Sequence, residues 1–163
     1  MKNEYPAVND VIRARRIALG LFEGDTARKA RLSLYEYGDI ELRAEESFSV
    51  VPIYHMKKIC NVLTLDFMTL FEIRCAFCKE HQKYEDQYFL SRDLLIKKRR
   101  QTLNLTEEQL SEKIGFLVSE IRLLETYTAH LESWVLENIM WLAQTLQIPT
   151  QVLLDVECPK CHR

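Results

Sequence analysis

The sequence predicts an all-α protein built from two tandem helical domains, and three observations carry that prediction. Glycine and proline together supply only eight of 163 residues, four of each, below the roughly 12% of average proteins. Turn-dense sandwiches and barrels need more breakers than that. One pattern also occurs twice: residues 10–21 lie over 94–105, superposing Ile12 on Ile96, Arg15-Arg16 on Arg99-Arg100 and Leu19 on Leu103. Residues 59–71 lie over 142–154, and Cys75-Ala-Phe-Cys78 over Cys158-Pro-Lys-Cys161. Finally, apolar residues recur at helical spacing between recognisable helix starts and stops. The expected organisation is a first domain over residues 1–78, a linker over 79–91 and a second domain over 92–163, each domain ending in Cys-x-x-Cys.

Residues 10–21 read as the first helix of the first domain, with Arg13, Arg15 and Arg16 on it. Residues 79–89 of the linker are polar apart from Tyr84, Tyr88 and Phe89. In the second domain Ser91 can cap a helix carrying Leu94, Leu95, Ile96 and Leu103, with Lys97, Lys98, Arg99 and Arg100 on its exposed side. Thr106-Glu-Glu-Gln109 is a capping box, in which hydroxyl and amide satisfy orphan backbone groups at a new helix start. That helix presents Leu110 and Ile114 and stops at Gly115, the residue that most cheaply turns left-handed. A third helix is expected over residues 118–126. Leu136, Ile139, Met140, Leu142, Ala143 and Leu146 then mark a fourth, and Thr150 starts a short closing helix with Val152, Leu153 and Leu154.

Two helices joined by a tight glycine turn form a helix-turn-helix. The string Leu105-Thr-Glu-Glu-Gln-Leu-Ser-Glu-Lys-Ile-Gly115, with Ile121-Arg-Leu-Leu-Glu125 and Leu142-Ala-Gln-Thr-Leu-Gln-Ile148, resembles the lambda-repressor-like (Cro and xenobiotic-response-element type) helix-turn-helix family. The resemblance spans residues 93–156. In the first copy, Arg28-Lys-Ala-Arg-Leu-Ser-Leu-Tyr-Glu-Tyr-Gly38 resembles the family's recognition helix and Val51-Pro-Ile-Tyr-His-Met-Lys-Lys-Ile59 its fourth helix. On that alignment the first copy lacks five residues around its second helix, so a shortened element is expected over 22–26. The resemblance implies a DNA-binding, repressor-like regulator in which two fused domains replace a dimer. It also implies that Glu36 and Glu125 are structural partners of Arg15 and Arg99.

Charge qualifies that implication. The whole chain carries a formal charge of -2, with no basic bias toward a polyanion. Residues 93–157 hold six basic and ten acidic residues, a poor match to a phosphate backbone. Ser119 and Arg122 are the attractive base-reading groups there. Leu117, Val118 and Leu123 fall where the family carries polar or basic residues, so they form a candidate surface for a protein partner. The first copy offers Arg28, Lys29 and Arg31 and is the better candidate for double-stranded DNA. Its charge run reads equally as a solvated helix face.

The paired cysteines point to metal. A Cys-x-x-Cys turn presents two thiolates along one edge of a tetrahedron, and two such turns complete a zinc site. Cys75, Cys78, Cys158 and Cys161 are expected to hold one structural zinc per chain, with His81 and His162 as spare ligands. The site would clamp the ends of the two domains. A reversible disulfide, a thioredoxin-like pair and covalent haem attachment compete less well, the last two lacking a strand-helix setting and an exported context. Cys60 reads as a small buried hydrophobe, Phe116, Trp134 and Trp141 as core, and His55 and His130 as local hydrogen-bonding residues. No catalytic motif is evident, so no enzymatic activity is expected. No run is long and apolar enough to span a membrane, and the polar N-terminus implies a cytoplasmic protein.

Overall fold

A computed structural model describes residues 7–75, 78 and 90–160. The protein is all-α, with no β-strand among the described residues. It divides into two compact units, Met1–Ile73 and Arg74–Arg163. The boundary puts Cys75 and Cys78 with the second unit.

The first unit contains α1 (Val8–Ala18), α2 (Glu23–Ala30), α3 (Leu34–Leu42), a π-helical turn (Glu46–Val50), α4 (Ile53–Leu63) and α5 (Phe67–Leu70). The second contains α6 (Arg92–Thr102), α7 (Glu107–Ile114), α8 (Val118–Leu124), a 3-10 turn (Thr128–Ser133), α9 (Leu136–Leu146) and α10 (Thr150–Leu154). The bounds of α1 and α2 recur in α6 and α7 residue for residue at the offset that takes Arg16 to Arg100, and those of α4 recur in α9 at one residue less. The single residue is dropped between Glu41 and Ile53. There the first unit winds a π turn, closed by a bond from Val51 N–H to the Glu46 carbonyl, where the second winds the tighter 3-10 form. A π turn is the usual way to house one extra residue.

The same offsets govern the backbone. Left-handed residues pair as Gly20 with Asn104, Arg31 with Gly115, Thr64 with Gln147, and Glu72 with Asp155. Each pair ends a corresponding helix, where a left-handed residue lets the chain turn back over the last carbonyls. The cores correspond too. Ile12, Ile40, Ile53, Met56, Ile59 and Leu63 are buried in the first unit, and Ile96, Leu124, Leu136, Ile139, Leu142 and Leu146 in the second. Where the second unit fills the α7–α8 contact with Leu110, Ile114 and Ile121, the first uses Thr26, Ala30 and Tyr37. One large ring compensates two small side chains, as close packing requires.

These pairings correct the expected alignment of the first copy. No five-residue gap exists: α2 is a full helix of 8 residues, the same length as α7. Arg28 and Lys29 lie in its last turn and Arg31 in the turn that follows, so this segment is not a third helix. The counterpart of α8 is α3, which carries Gly38 in its interior. The capping boxes also change places. Thr106 and Gln109 box α7 as expected, whereas in the first unit Ser33 and Glu36 box α3 and Phe22 leaves α2 uncapped. The two bonds from Ser33 hold the Glu36 carboxyl below its ordinary pKa. Ser91 stands at the N-cap of α6 without a capping bond.

Candidate metal centre and third-helix faces

Cys158 reaches its position through the end of α10. Asp155 turns left-handed, the Gln151 amide donates to the Val156 carbonyl at 3.2 Å, and Cys158 follows, buried. Cys75 emerges by the equivalent path: Glu72 is left-handed, and Ile73 N–H bonds the Met68 carbonyl at 2.8 Å. Cys78 lies on an exposed turn. The sulfurs of Cys75, Cys78 and Cys158 all lie within 4.8 Å of one another, and Cys78 Sγ and Cys158 Sγ are 3.6 Å apart. A disulfide needs about 2.05 Å, whereas zinc–sulfur bonds near 2.3 Å in a tetrahedron put neighbouring sulfurs about 3.7 Å apart. The Cys78–Cys158 pair has that tetrahedral-edge spacing, and the three-thiol cluster is compatible with a metal site. Cys161, His81 and His162, the remaining expected donors, lie outside the described residues, as does the 79–89 part of the linker. Cys60, on α4, is isolated in the core, and burial pushes its thiol up to about 12.

The arginines of the first helices are structural, but the buried carboxylates pair with Arg16 and Arg100, one position beyond the Arg15 and Arg99 expected. Arg16 donates from Nε and Nη2 to Glu41 at 2.6 and 2.8 Å. Arg100 does the same to Glu125 at 2.5 and 2.8 Å. All four side chains are buried, and the spare Nη1 donor satisfies the carbonyl of Leu21 or Leu105. Arg15 and Arg99 instead bond the carbonyls of Leu63 and Leu146 at the ends of α4 and α9. Glu36 is thus a helix cap rather than a buried partner, and Glu125 pairs with Arg100 rather than Arg99. Arg100, expected on the exposed side of α6, is 8% exposed.

The candidate recognition residues are distributed as follows. Arg28 is exposed and bonded to Asp25 at 2.8 Å, Lys29 is exposed, and Arg31 donates to Tyr54 Oη at 3.1 Å. On α8, Ser119 is exposed and Arg122 donates to Glu107 at 2.7 Å, which raises its pKa. Leu117, at the N-cap, is 71% exposed, Leu123 is exposed and Val118 half-buried. The equivalent face of the first unit holds Phe22, Leu34, Tyr35 and Leu42, all exposed. No lysine or arginine lies within α3.

One surface escaped the sequence reading. Met140 and Trp141, expected in the core, are exposed on α9. Trp141 lines an open cleft of about 500 Å³ with Leu103, Leu105, Lys113, Gln144, Thr145 and Gln147. The repeat holds the signal that could have found it, because Lys57 and Lys58 occupy the same positions of α4 and mark an outward face. Trp134 is buried and stacks on half-buried Phe116 at 4.4 Å. His55 and His130 bond the Ala30 carbonyl and Glu120. No helix among the described residues is long and apolar enough to cross a membrane. Against family models, curated proteins and solved structures, the chain has no match.

Proposed function

We propose that this chain is a two-domain helix-turn-helix regulatory protein that works by binding a protein partner, with one structural zinc on its cysteines. The observation that carries the reading is the chemistry of the third helices. A DNA reader needs cations free to reach phosphates and base edges. Here α3 offers apolar side chains and carboxylates, the one cation of α8 is engaged by Glu107, and the first turns of α2 and α7 hold Glu23, Asp25, Glu107 and Glu108. Leu117, Val118 and Leu123 add apolar surface of the kind protein partners cover.

DNA binding remains the second reading, favoured by the exposed Arg13, Arg28, Lys29 and Arg31 of the first unit. A salt titration against random duplex separates the two. No association at the lowest salt is the expected result. Replacing Arg28, Lys29 and Arg31 with Ala supplies the contrary outcome: affinity whose salt slope falls by about 0.9 for each phosphate no longer neutralised would overturn the reading in favour of DNA.

Four thiolates select zinc among the common cytosolic divalent ions. Cys161 supplies the fourth, and the ion would tie the chain leaving α5 to the chain leaving α10. Elemental analysis of protein purified under reducing conditions without chelator should give one zinc per chain. Less than about half an equivalent would remove the site, and two would assign a separate ion to each Cys-x-x-Cys.

A further inference from the structure

The α3 face of the first unit departs most from its counterpart, and the departure has a definite shape. At about 100° per residue, Leu34, Gly38, Leu42 and Tyr35 occupy one continuous arc of α3. Leu34, Tyr35 and Leu42 are 53%, 87% and 70% exposed. Gly38 lies at the centre of this arc, in an α-helical segment where glycine is destabilising. Its backbone has no positive φ, and a β-carbon there would meet nothing within 4 Å. Neither conformation nor packing within the unit calls for glycine, and its effect is a notch between Leu34 and Leu42.

The second unit displays what fits such a notch. At the position of Gly38 it carries Arg122, whose guanidinium bonds Glu107 at 2.7 Å. The first unit keeps the carboxylate, as Glu23, and lacks the arginine. Among the described residues Glu23 retains only a 3.3 Å contact to Arg16, with its side chain 52% exposed. Asp39 and Glu36 bound the other edge of the arc, Asp39 being shared with Arg43 at 2.8 Å. The surface is an apolar seam edged by carboxylates, with a gap where the sister unit places a cation.

We propose that this face receives a basic amphipathic helix of a partner protein, its apolar residues on Leu34, Tyr35 and Leu42 and an arginine or lysine entering the Gly38 notch to meet Glu23. A helix lying in such a groove is anchored by residues at helical spacing, and the charge match selects the partner. The inference rests on the protein-binding reading and names the partner's chemistry.

The test titrates the full, zinc-replete chain with an 18-residue Leu/Lys amphipathic peptide and with its Leu/Glu counterpart. The Lys peptide should bind at least tenfold more tightly. Gly38→Arg, which supplies the missing cation in cis and replaces glycine with a better helix former, should weaken binding at least tenfold without disturbing the circular-dichroism spectrum. Leu123→Ser, in the second unit, should not weaken it. Equal binding of the two peptides, or a Gly38→Arg protein that binds as the original does, overturns the proposal. If Leu123→Ser alone weakens binding, protein recognition stands and its location on α3 falls. If neither peptide binds while random duplex does, both readings fall. Self-association of the chain that Gly38→Arg abolishes would identify a second copy as the occupant and overturn the partner helix.

Discussion

The first unit boxes α3 and leaves α2 uncapped; the second boxes α7 and leaves α8 uncapped. Each thus secures one of the two helices of its turn. Beneath this exchange the backbone is constant, with four left-handed positions in register and one buried arginine–carboxylate pair bonded at the same atoms. Turn geometry and that pair define the framework, while caps and outward faces vary around it. The variation is reciprocal in places: Phe22, Tyr35 and Gly38 stand against Thr106, Ser119 and Arg122, and Lys57 and Lys58 against Met140 and Trp141.

Removing the buried carboxylate should have the largest effect. Breaking a buried ion pair from one side leaves an uncompensated charge and costs about 3–5 kcal/mol. Glu41→Ala and Glu125→Ala should each destabilise their own unit by that much. At roughly 4–8 °C per kcal/mol for a domain this small, the loss corresponds to a fall in Tm above about 12 °C. Both tryptophans, Trp134 and Trp141, belong to the second unit, so tryptophan fluorescence, excited at a wavelength tyrosine does not absorb, follows that unit alone. Glu125→Ala should move the fluorescence midpoint, and Glu41→Ala should move only the circular-dichroism transition. Equal fluorescence shifts would show that the units unfold together and would break the comparison.

The two units also differ in how much of their structure can be read from sequence. In the second, the signals of α7 coincide: Thr106 caps, Leu110 and Ile114 face the core, and Gly115 stops the helix. In the first they are dispersed. Phe22 replaces the cap, Thr26 and Ala30 fill the core positions without an apolar signature, and Arg31 takes the left-handed turn. Meanwhile Ser33, Glu36 and Gly38 imitate a helix ending several residues early, which displaces the alignment. The arginine partners slip for a related reason. Arg15 and Arg16 are about 100° apart on the helix, and only the burial of the neighbouring side chains decides which faces inward. The thiol cluster is legible because the Cys-x-x-Cys spacing is itself a local geometric constraint. The apolar face of α3 was hidden by the displaced alignment, which, five residues out of register, put Arg28, Lys29 and Arg31 where Ser33, Leu34 and Glu36 belong.

The smallest expected effect tests the framework at its most local point. Arg31 and Gly115 both end the second helix of their unit with φ near +62° and +72°. A side chain in that region crowds its own carbonyl and costs about 1 kcal/mol, whereas glycine bears no such strain. Nothing lies within 4 Å of a β-carbon built at Gly115, so replacement there should be limited by conformation alone. Gly115→Arg should therefore lower the stability of the second unit by about 1 kcal/mol, visible as a fall in the fluorescence midpoint. Arg31→Gly should raise the first unit by less, about 0.5 kcal/mol, because glycine also gains freedom in the unfolded chain and the exposed hydrogen bond to Tyr54 disappears. Opposite signs of unequal size, each confined to its own unit, are what a shared turn with different residues requires. If Arg31→Gly is destabilising, the bond to Tyr54 holds that turn, and the two units then rely on different forces at the same bend.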